Sequence, residues 1–226
     1  MFAAPQFRAV ADHGVLVSFA DSISEEAHAR VVALDKAIAV RPPLGLIETV
    51  PALVNILVRF DPLVSDHDTI KVAVLESLKT LEIAKVSGVK RVVQVCYDDA
   101  FSPDLETVSK AVGISREAVI NAHLNGDFRV LMYGFSPGYA YLSGVDETIQ
   151  VPRKPAPVRG VAAGSVIIAG PQCLVTTLVM PTGWSIIGRS PTPILTDDPD
   201  KPFLFDVGDT VAFERIDLAT FEAQHG

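Results

Sequence analysis

Phe128–Gly144 reads F-R-V-L-M-Y-G-F-S-P-G-Y-A-Y-L-S-G, Ala163–Gln172 reads A-G-S-V-I-I-A-G-P-Q, and Pro181–Pro191 reads P-T-G-W-S-I-I-G-R-S-P. Glycine and proline punctuate short apolar runs, the pattern of short strands joined by tight turns. No stretch from Phe128 to Val211-Ala212-Phe213 has helical period, so this part of the chain predicts a closed or nearly closed β structure. Between the quoted runs lies V-P-R-K-P-A-P-V-R, Val151–Arg159. Arg153, Lys154, Arg159 and Arg189 thus gather in one region of an acidic chain. That placement suggests a site for a carboxylate or a phosphate, because guanidinium and ammonium groups bind such anions through charge-assisted hydrogen bonds.

Upstream, residues 7 to about 88 read as an α+β unit. Val15–Ala20 alternates as a strand. Ser22 and Glu25, three apart, predict a capping box. Ala27, Val31, Leu34 and Ile38 then repeat at helical spacing and form one apolar stripe. Arg41-Pro42-Pro43 ends that helix. Strands follow at Leu46–Val50 and Leu53–Phe60, and Ile70, Val74, Leu78 and Leu81 mark a second helix. With a closing strand from Val89, the order β-α-β-β-α-β is that of a split βαβ sandwich. Ser87-Gly88 is the expected hinge, giving domains 1–88 and 89–226. Past it, Ser102-Pro103-Asp104 opens a short helix that Gly113 closes, and Ser115 caps another.

The 226 residues carry 19 Lys+Arg against 27 Asp+Glu, a net charge of −8, which argues against nonspecific nucleic-acid or anionic-membrane binding. With 49% hydrophobic residues, a packed core is well supplied. Cys96 and Cys173 form no C-x-x-C pair and read as reduced, partly buried thiols. The histidines show no metal-ligand spacing, and no metal is expected. The N-terminus lacks a basic start before a long apolar core, so no signal peptide is expected, and a soluble cytoplasmic protein follows.

Two motifs suggest catalysis and fail on mechanism. Gly134-Phe135-Ser136-Pro137-Gly138 matches a nucleophile elbow. The residue after such a serine lends an N–H to the oxyanion hole, and Pro137 has none. Gly183–Ser190 resembles a phosphate loop, but Ser185-Ile186-Ile187 reads as a strand and Pro191 and Pro193 forbid the helix that loop needs. His123 reads first as a helix-terminal histidine favouring the dipole and second as a catalytic base. Tyr139 and Tyr141 share one face of an extended segment. With Trp184 they are expected to wall an anion pocket whose polar groups are Arg153, Lys154, Gln172 and Arg189. His123, Arg153 and Lys154 are the catalytic candidates.

Taken together, G-F-S-P-G-Y-A-Y-L-S-G, V-P-R-K…V-R…A-A-G-S-V-I-I-A-G, G-W-S-I-I-G-R-S-P and the upstream G-L-I-E-T-V-P-A-L-V-N-I-L-V-R-F-D-P resemble the family called allophanate hydrolase subunit 1. That family is also known as the B component of 5-oxoprolinase and includes a sporulation-kinase inhibitor. The likeness covers nearly the whole chain. It implies a ferredoxin-like N-terminal domain and a cyclophilin-like β-barrel. It implies a homologous second subunit, a third hydrolase subunit, and ATP with Mg in a site shared with the partner. The implied reaction is ATP-dependent opening of 5-oxoproline to glutamate. The fused relatives, the carboxyltransferase part of urea carboxylase, offer a biotin-dependent alternative on a small amide, and kinase inhibition offers a non-catalytic one. The chain departs from the family at Gly170–Thr176 and at Met180–Trp184, where Gln172 and Trp184 are kept but a glycine and a tyrosine are not.

Overall fold

A computed structural model of the chain describes residues 4–81 and 88–225. The chain divides into two compact units, Met1–Val86 and Ser87–Gly226. Of the expected Ser87-Gly88 hinge, Ser87 lies outside the described residues.

The first unit is a four-stranded antiparallel sheet with two helices. Its strands are β1 (Gln6–Val10), β2 (Gly14–Ser18), β3 (Leu46–Pro51) and β4 (Asn55–Phe60), in the order β1-β2-β4-β3. The helices are α1 (Glu25–Val40) and α2 (His67–Lys79). The predicted apolar stripe holds: Ala27, Val31, Leu34 and Ile38 of α1 join Ile70 and Val74 of α2 over Val15, Val17, Ile56, Val58 and Phe60. Each such side chain stabilises the unit by about 1.5–3 kcal/mol on burial. The cap of α1 is Ser24, whose hydroxyl accepts from the Ala27 N–H at 3.1 Å, not Ser22. Glu25 is the first helical residue and cannot complete a box with Ser22.

The strand expected to close this sheet does not do so. Lys90–Cys96 (β5) pairs with strands of the second unit, and the edge position beside β2 belongs to β1, a strand the sequence reading omits. Two helices on one antiparallel sheet are retained, with β1 ahead of the βαββα run rather than a strand behind it.

The second unit is a closed barrel of seven strands in the order β10-β7-β6-β13-β5-β12-β9. Its members besides β5 are β6 (Phe128–Tyr133), β7 (Ala140–Ser143), β9 (Ser165–Ala169), β10 (Gln172–Val175), β12 (Ser185–Arg189) and β13 (Thr210–Ile216). Closure leaves no exposed edge for another chain to extend. β13 runs parallel to β5 over seven paired residues. Asp209, 2% exposed, fixes the start of that pair: its carboxylate accepts from the Val89 N–H at 2.7 Å, Arg91 Nε at 2.8 Å and the Asp206 N–H at 3.0 Å.

Period-two alternation sorts the barrel side chains into two cores. Leu142, Val166, Ile168, Cys173, Val175 and Ile187 point inward with Val93, Val95, Phe128 and Phe213. Helices α3 (Leu105–Val112) and α4 (Arg116–Leu124) add Leu105, Val108, Val119 and Ile120 to that core. Ser115 caps α4 as predicted, and Gly113 ends α3 at φ 74°. Tyr139, Ile167, Ala169, Leu174 and Ile186 point outward, where the ribbon of β8 (Val158–Val161) and β11 (Met180–Thr182) covers them with Val161 and Met180. That is why β9 is buried at every position. A short C-terminal helix, α5 (Leu218–His225), is unforeseen in the sequence; Asp217 caps it by accepting from the Thr220 N–H at 2.8 Å.

Candidate functional site

The outer face of β7, β10 and the start of β12 carries a run of aromatic rings. Tyr139 and Tyr141 lie 5.6 Å apart between ring centroids, and Tyr141 and Trp184 lie 6.1 Å apart, both edge-on. The Arg153 guanidinium stands 5.5 Å from the centre of the Trp184 ring, within cation–π reach. Arg153 is exposed, and no carboxylate among the described residues pairs with it. Strand alternation puts Gln172 on this outer face too, since its neighbour Cys173 points inward and Ser143, its cross-strand partner, follows Tyr141 by two. Tyr139, Tyr141, Gln172 and Trp184 therefore lie on the outer side of the barrel, with Tyr139 and Trp184 buried there and the exposed Arg153 standing over Trp184.

Burial and the neighbouring Tyr141 push the Tyr139 phenol up to about 12, against a smaller opposing pull from Arg153. The phenol is protonated at neutral pH and presents an O–H. A free guanidinium beside aromatic walls and a hydroxyl donor suits a small planar ligand bearing a carboxylate.

Two of the expected pocket residues are held elsewhere. Lys154 Nζ bonds the Asp104 carboxylate, which also accepts from the Ile186 N–H at 2.7 Å. Asp104 thus ties the start of α3 to β12, and Lys154 is matched by that carboxylate. Arg189 ends β12, at the far end from Trp184. Its Nε donates to the Ala163 carbonyl at 3.2 Å, and its guanidinium rests 5.6 Å and 5.7 Å from the Phe101 and Phe221 rings. A five-residue strand spans about 15 Å, so Arg189 and Arg153 do not meet on one small ligand.

His123 is fully buried in the barrel core, not on the aromatic face. Its Nδ1 lies 2.7 Å from the Tyr97 hydroxyl and its Nε2 3.5 Å from Cys173 Sγ. The ring packs 4.4 Å from Phe213 and 5.1 Å from Phe128. Burial alone lowers its pKa to about 3, so it is neutral. A neutral imidazole donates from one nitrogen and accepts at the other, which matches two polar partners in an apolar core. Burial also raises the Cys173 thiol well above its ordinary value, leaving it inert as a nucleophile.

The elbow-like and phosphate-loop-like motifs resolve as the sequence mechanics require. Gly134–Gly138 is a pair of turns leading into β7, and Ser185–Arg189 is strand β12. The reading of that first motif as a bare turn misses two features. Phe135 is a non-glycine residue at φ 69° and is 72% exposed, and the Ser136 hydroxyl is buried with no hydrogen-bond partner among the described residues. Neither has a sequence signal beyond a bulky residue set between Gly134 and Ser-Pro. A separate cleft of about 420 Å³ lies among Cys96, Tyr97, Asp98, Arg215, Asp217 and Leu218 and holds none of the expected site residues.

Among described residues, no helix is long and apolar enough to cross a membrane. Over 231 residues the chain is 35% identical to a 5-oxoprolinase subunit of Bacillus subtilis (strain 168), covering 96% of this chain and 95% of that protein. The crystal structure of TTHA0988 superposes with a TM-score of 0.80 at 33% identity; it covers 91% of this chain, which spans 40% of that longer one. The Kluyveromyces lactis urea amidolyase shares the fold at a TM-score of 0.81 with 17% identity, over 97% of this chain and 15% of that one. Residues 5–205 match the family described as "Carboxyltransferase domain, subdomain C and D". The matching span, the end-to-end relative and the retained barrel agree: the chain belongs to that carboxyltransferase-domain family, in the branch whose named members are 5-oxoprolinase subunits.

Proposed function

We propose that this chain is one subunit of an ATP-dependent amide hydrolase that opens 5-oxo-L-proline to L-glutamate, with ADP and phosphate as the other products. It acts with a homologous second subunit and a third hydrolase subunit. The observation that carries the reading is the 35% identity along 96% of the chain to a 5-oxoprolinase subunit. The Arg153 face is compatible with it: the substrate is a small flat ring with one carboxylate.

In this reading Arg153 takes the substrate carboxylate, Trp184 backs the guanidinium, and the Tyr139 and Tyr141 hydroxyls and Gln172 amide orient the ring. A lactam is a poor electrophile, and nucleotide hydrolysis supplies the drive to open it. The described residues do not fit a triphosphate by themselves. Lys154 is matched by Asp104, Arg189 lies at the other end of β12, and β12 stands where a phosphate loop needs a helix. The nucleotide site is therefore assigned chiefly to the partner, and this chain is given binding and orientation.

The test is reconstitution. The purified chain alone should hydrolyse no ATP in response to 5-oxoproline; with the second and third subunits, glutamate and ADP should appear together. Robust turnover by the isolated chain contradicts the subunit claim. Activity that requires biotin and urea instead supports carboxyl transfer, which the family description favours. Activity under neither condition leaves a binding module.

A further inference from the structure

The loop that leads into β7 carries two unfavourable features in adjacent residues. The Ser136 N–H donates to the Gly134 carbonyl at 2.8 Å, closing a γ-turn centred on Phe135 at φ 69°. This positive-φ form is rare and strained, and it is least tolerable for a bulky side chain. Ala11 is the other non-glycine residue at positive φ among those described, and it is a small residue at the β1–β2 turn. Next to the strained residue, the Ser136 hydroxyl is buried without a partner among the described residues. Buried hydroxyls nearly always have one.

The surrounding loop enforces both features. The Tyr139 N–H donates to the Ser136 carbonyl at 3.1 Å, with Pro137 and Gly138 (φ 69°) at the corners of the turn. Gly138 takes up φ 69°, a conformation that favours glycine, and a Cβ there would press on the tip of Leu195 at 2.7 Å. Thr177 Oγ1 donates to the Pro137 carbonyl at 2.8 Å and anchors the loop from β10's side. Backbone strain of this kind persists only where its surroundings enforce it, and it clusters at ligand sites. Phe135 does not use its position to reach the core: its ring is exposed and touches Tyr139 at 5.4 Å between centroids. Tyr139 in turn feels the charge of Arg153, so the loop and the guanidinium converge on one phenol.

We propose that Ser136 is a further substrate-binding residue, one that reads the amide edge of the ligand while the Phe135 ring covers its flat face. The inference rests on the function proposed above and names which chemical feature this loop recognises. Ring closure fixes a lactam amide cis, so its C=O and N–H lie side by side. A serine hydroxyl both donates and accepts and can answer either group. Arg153 then selects the carboxylate, and Ser136 selects a cyclic amide over a saturated ring of equal size.

Three variants of the reconstituted complex test this: Ser136→Ala, Ser136→Thr and Phe135→Gly. Each is measured for KM and kcat with 5-oxoproline, for calorimetric binding of 5-oxoproline, and for thermal midpoint. Ser136→Ala should raise KM and Kd about tenfold without lowering the midpoint, because it deletes a hydroxyl the fold does not use. Ser136→Thr should keep most of the affinity. Phe135→Gly should raise the midpoint by relieving the turn and should also raise KM. An unchanged KM in Ser136→Ala or Phe135→Gly overturns the proposal, as does a lowered midpoint in Ser136→Ala. A wild-type complex that makes no glutamate instead defeats the proposed function, and is read before any variant.

Discussion

His123 shows how far a residue's place in the fold can sit from its place in the sequence. Beside the polar end of α4 it looks like a dipole-stabilising or catalytic histidine, yet its ring is part of the core with Phe128, Phe213, Tyr97 and Cys173. Its folded pKa is about 3, below the ordinary 6.5. The unfolded chain therefore takes a proton on this ring below about pH 6.5, while the folded chain does not until near 3. The stability it contributes is present above pH 6.5 and is lost as pH falls through that window. Between pH 6.5 and 4.5 the loss should be about 2 kcal/mol, because the slope reaches 1.36 kcal/mol per pH unit only once the unfolded ring is fully protonated. Denaturant unfolding at both pH values should show this drop, and His123→Gln should remove most of it whatever its own stability. Equal slopes in the two proteins would mean the imidazole is accessible or charged in the fold.

Between elements, the Asp104–Lys154 clasp decides what Lys154 is for. Asp104 sits at the N-cap of α3, bonds the Ile186 N–H on β12 and receives Lys154. Both side chains are about one-fifth exposed, so the pair is partly shielded from water. Lys154→Met should cost about 1–3 kcal/mol, measured by chemical unfolding, because it leaves a half-buried carboxylate short of its cation. It should leave KM for 5-oxoproline within about twofold. A large KM change with intact stability would return Lys154 to the ligand site.

These elements also show which parts of the architecture local sequence encodes. The stripe Ala27, Val31, Leu34, Ile38 and the Gly/Pro-punctuated runs are local patterns, and they became α1 and the barrel strands. The destination of β5 was not legible, because strand pairing is nonlocal: its residues suit either sheet, and Asp209, 118 positions from Arg91, decides it. β1 was missed since Gln6–Val10 alternates weakly and half faces solvent. At the site, the motif segments named Tyr139, Tyr141 and Trp184, whose rings run edge to edge, and Arg153, which stands over Trp184. They could not show that Arg189 lies at the other end of β12, since motif proximity carries no direction along a strand. Backbone strain at Phe135 has no compositional mark at all.

Across the whole molecule, two separately cored units are joined in one acidic chain, and the chemistry proposed for it needs other subunits. In the proposed function this chain would contribute a substrate-facing part of its barrel, with Arg153 as the anion-binding group and Arg189 as a structural one. The most direct test is the KM for 5-oxoproline of the reconstituted complex carrying Arg153→Ala, set against the same complex carrying Arg189→Ala. Arg153→Ala should lose about 1.5–3 kcal/mol in kcat/KM with its thermal midpoint kept, as expected for one charge-assisted hydrogen bond to a carboxylate. Arg189→Ala should lower the midpoint and leave KM near that of the wild type. The reverse pattern, with KM unchanged in Arg153→Ala and raised in a stable Arg189→Ala, would contradict the placement of the site.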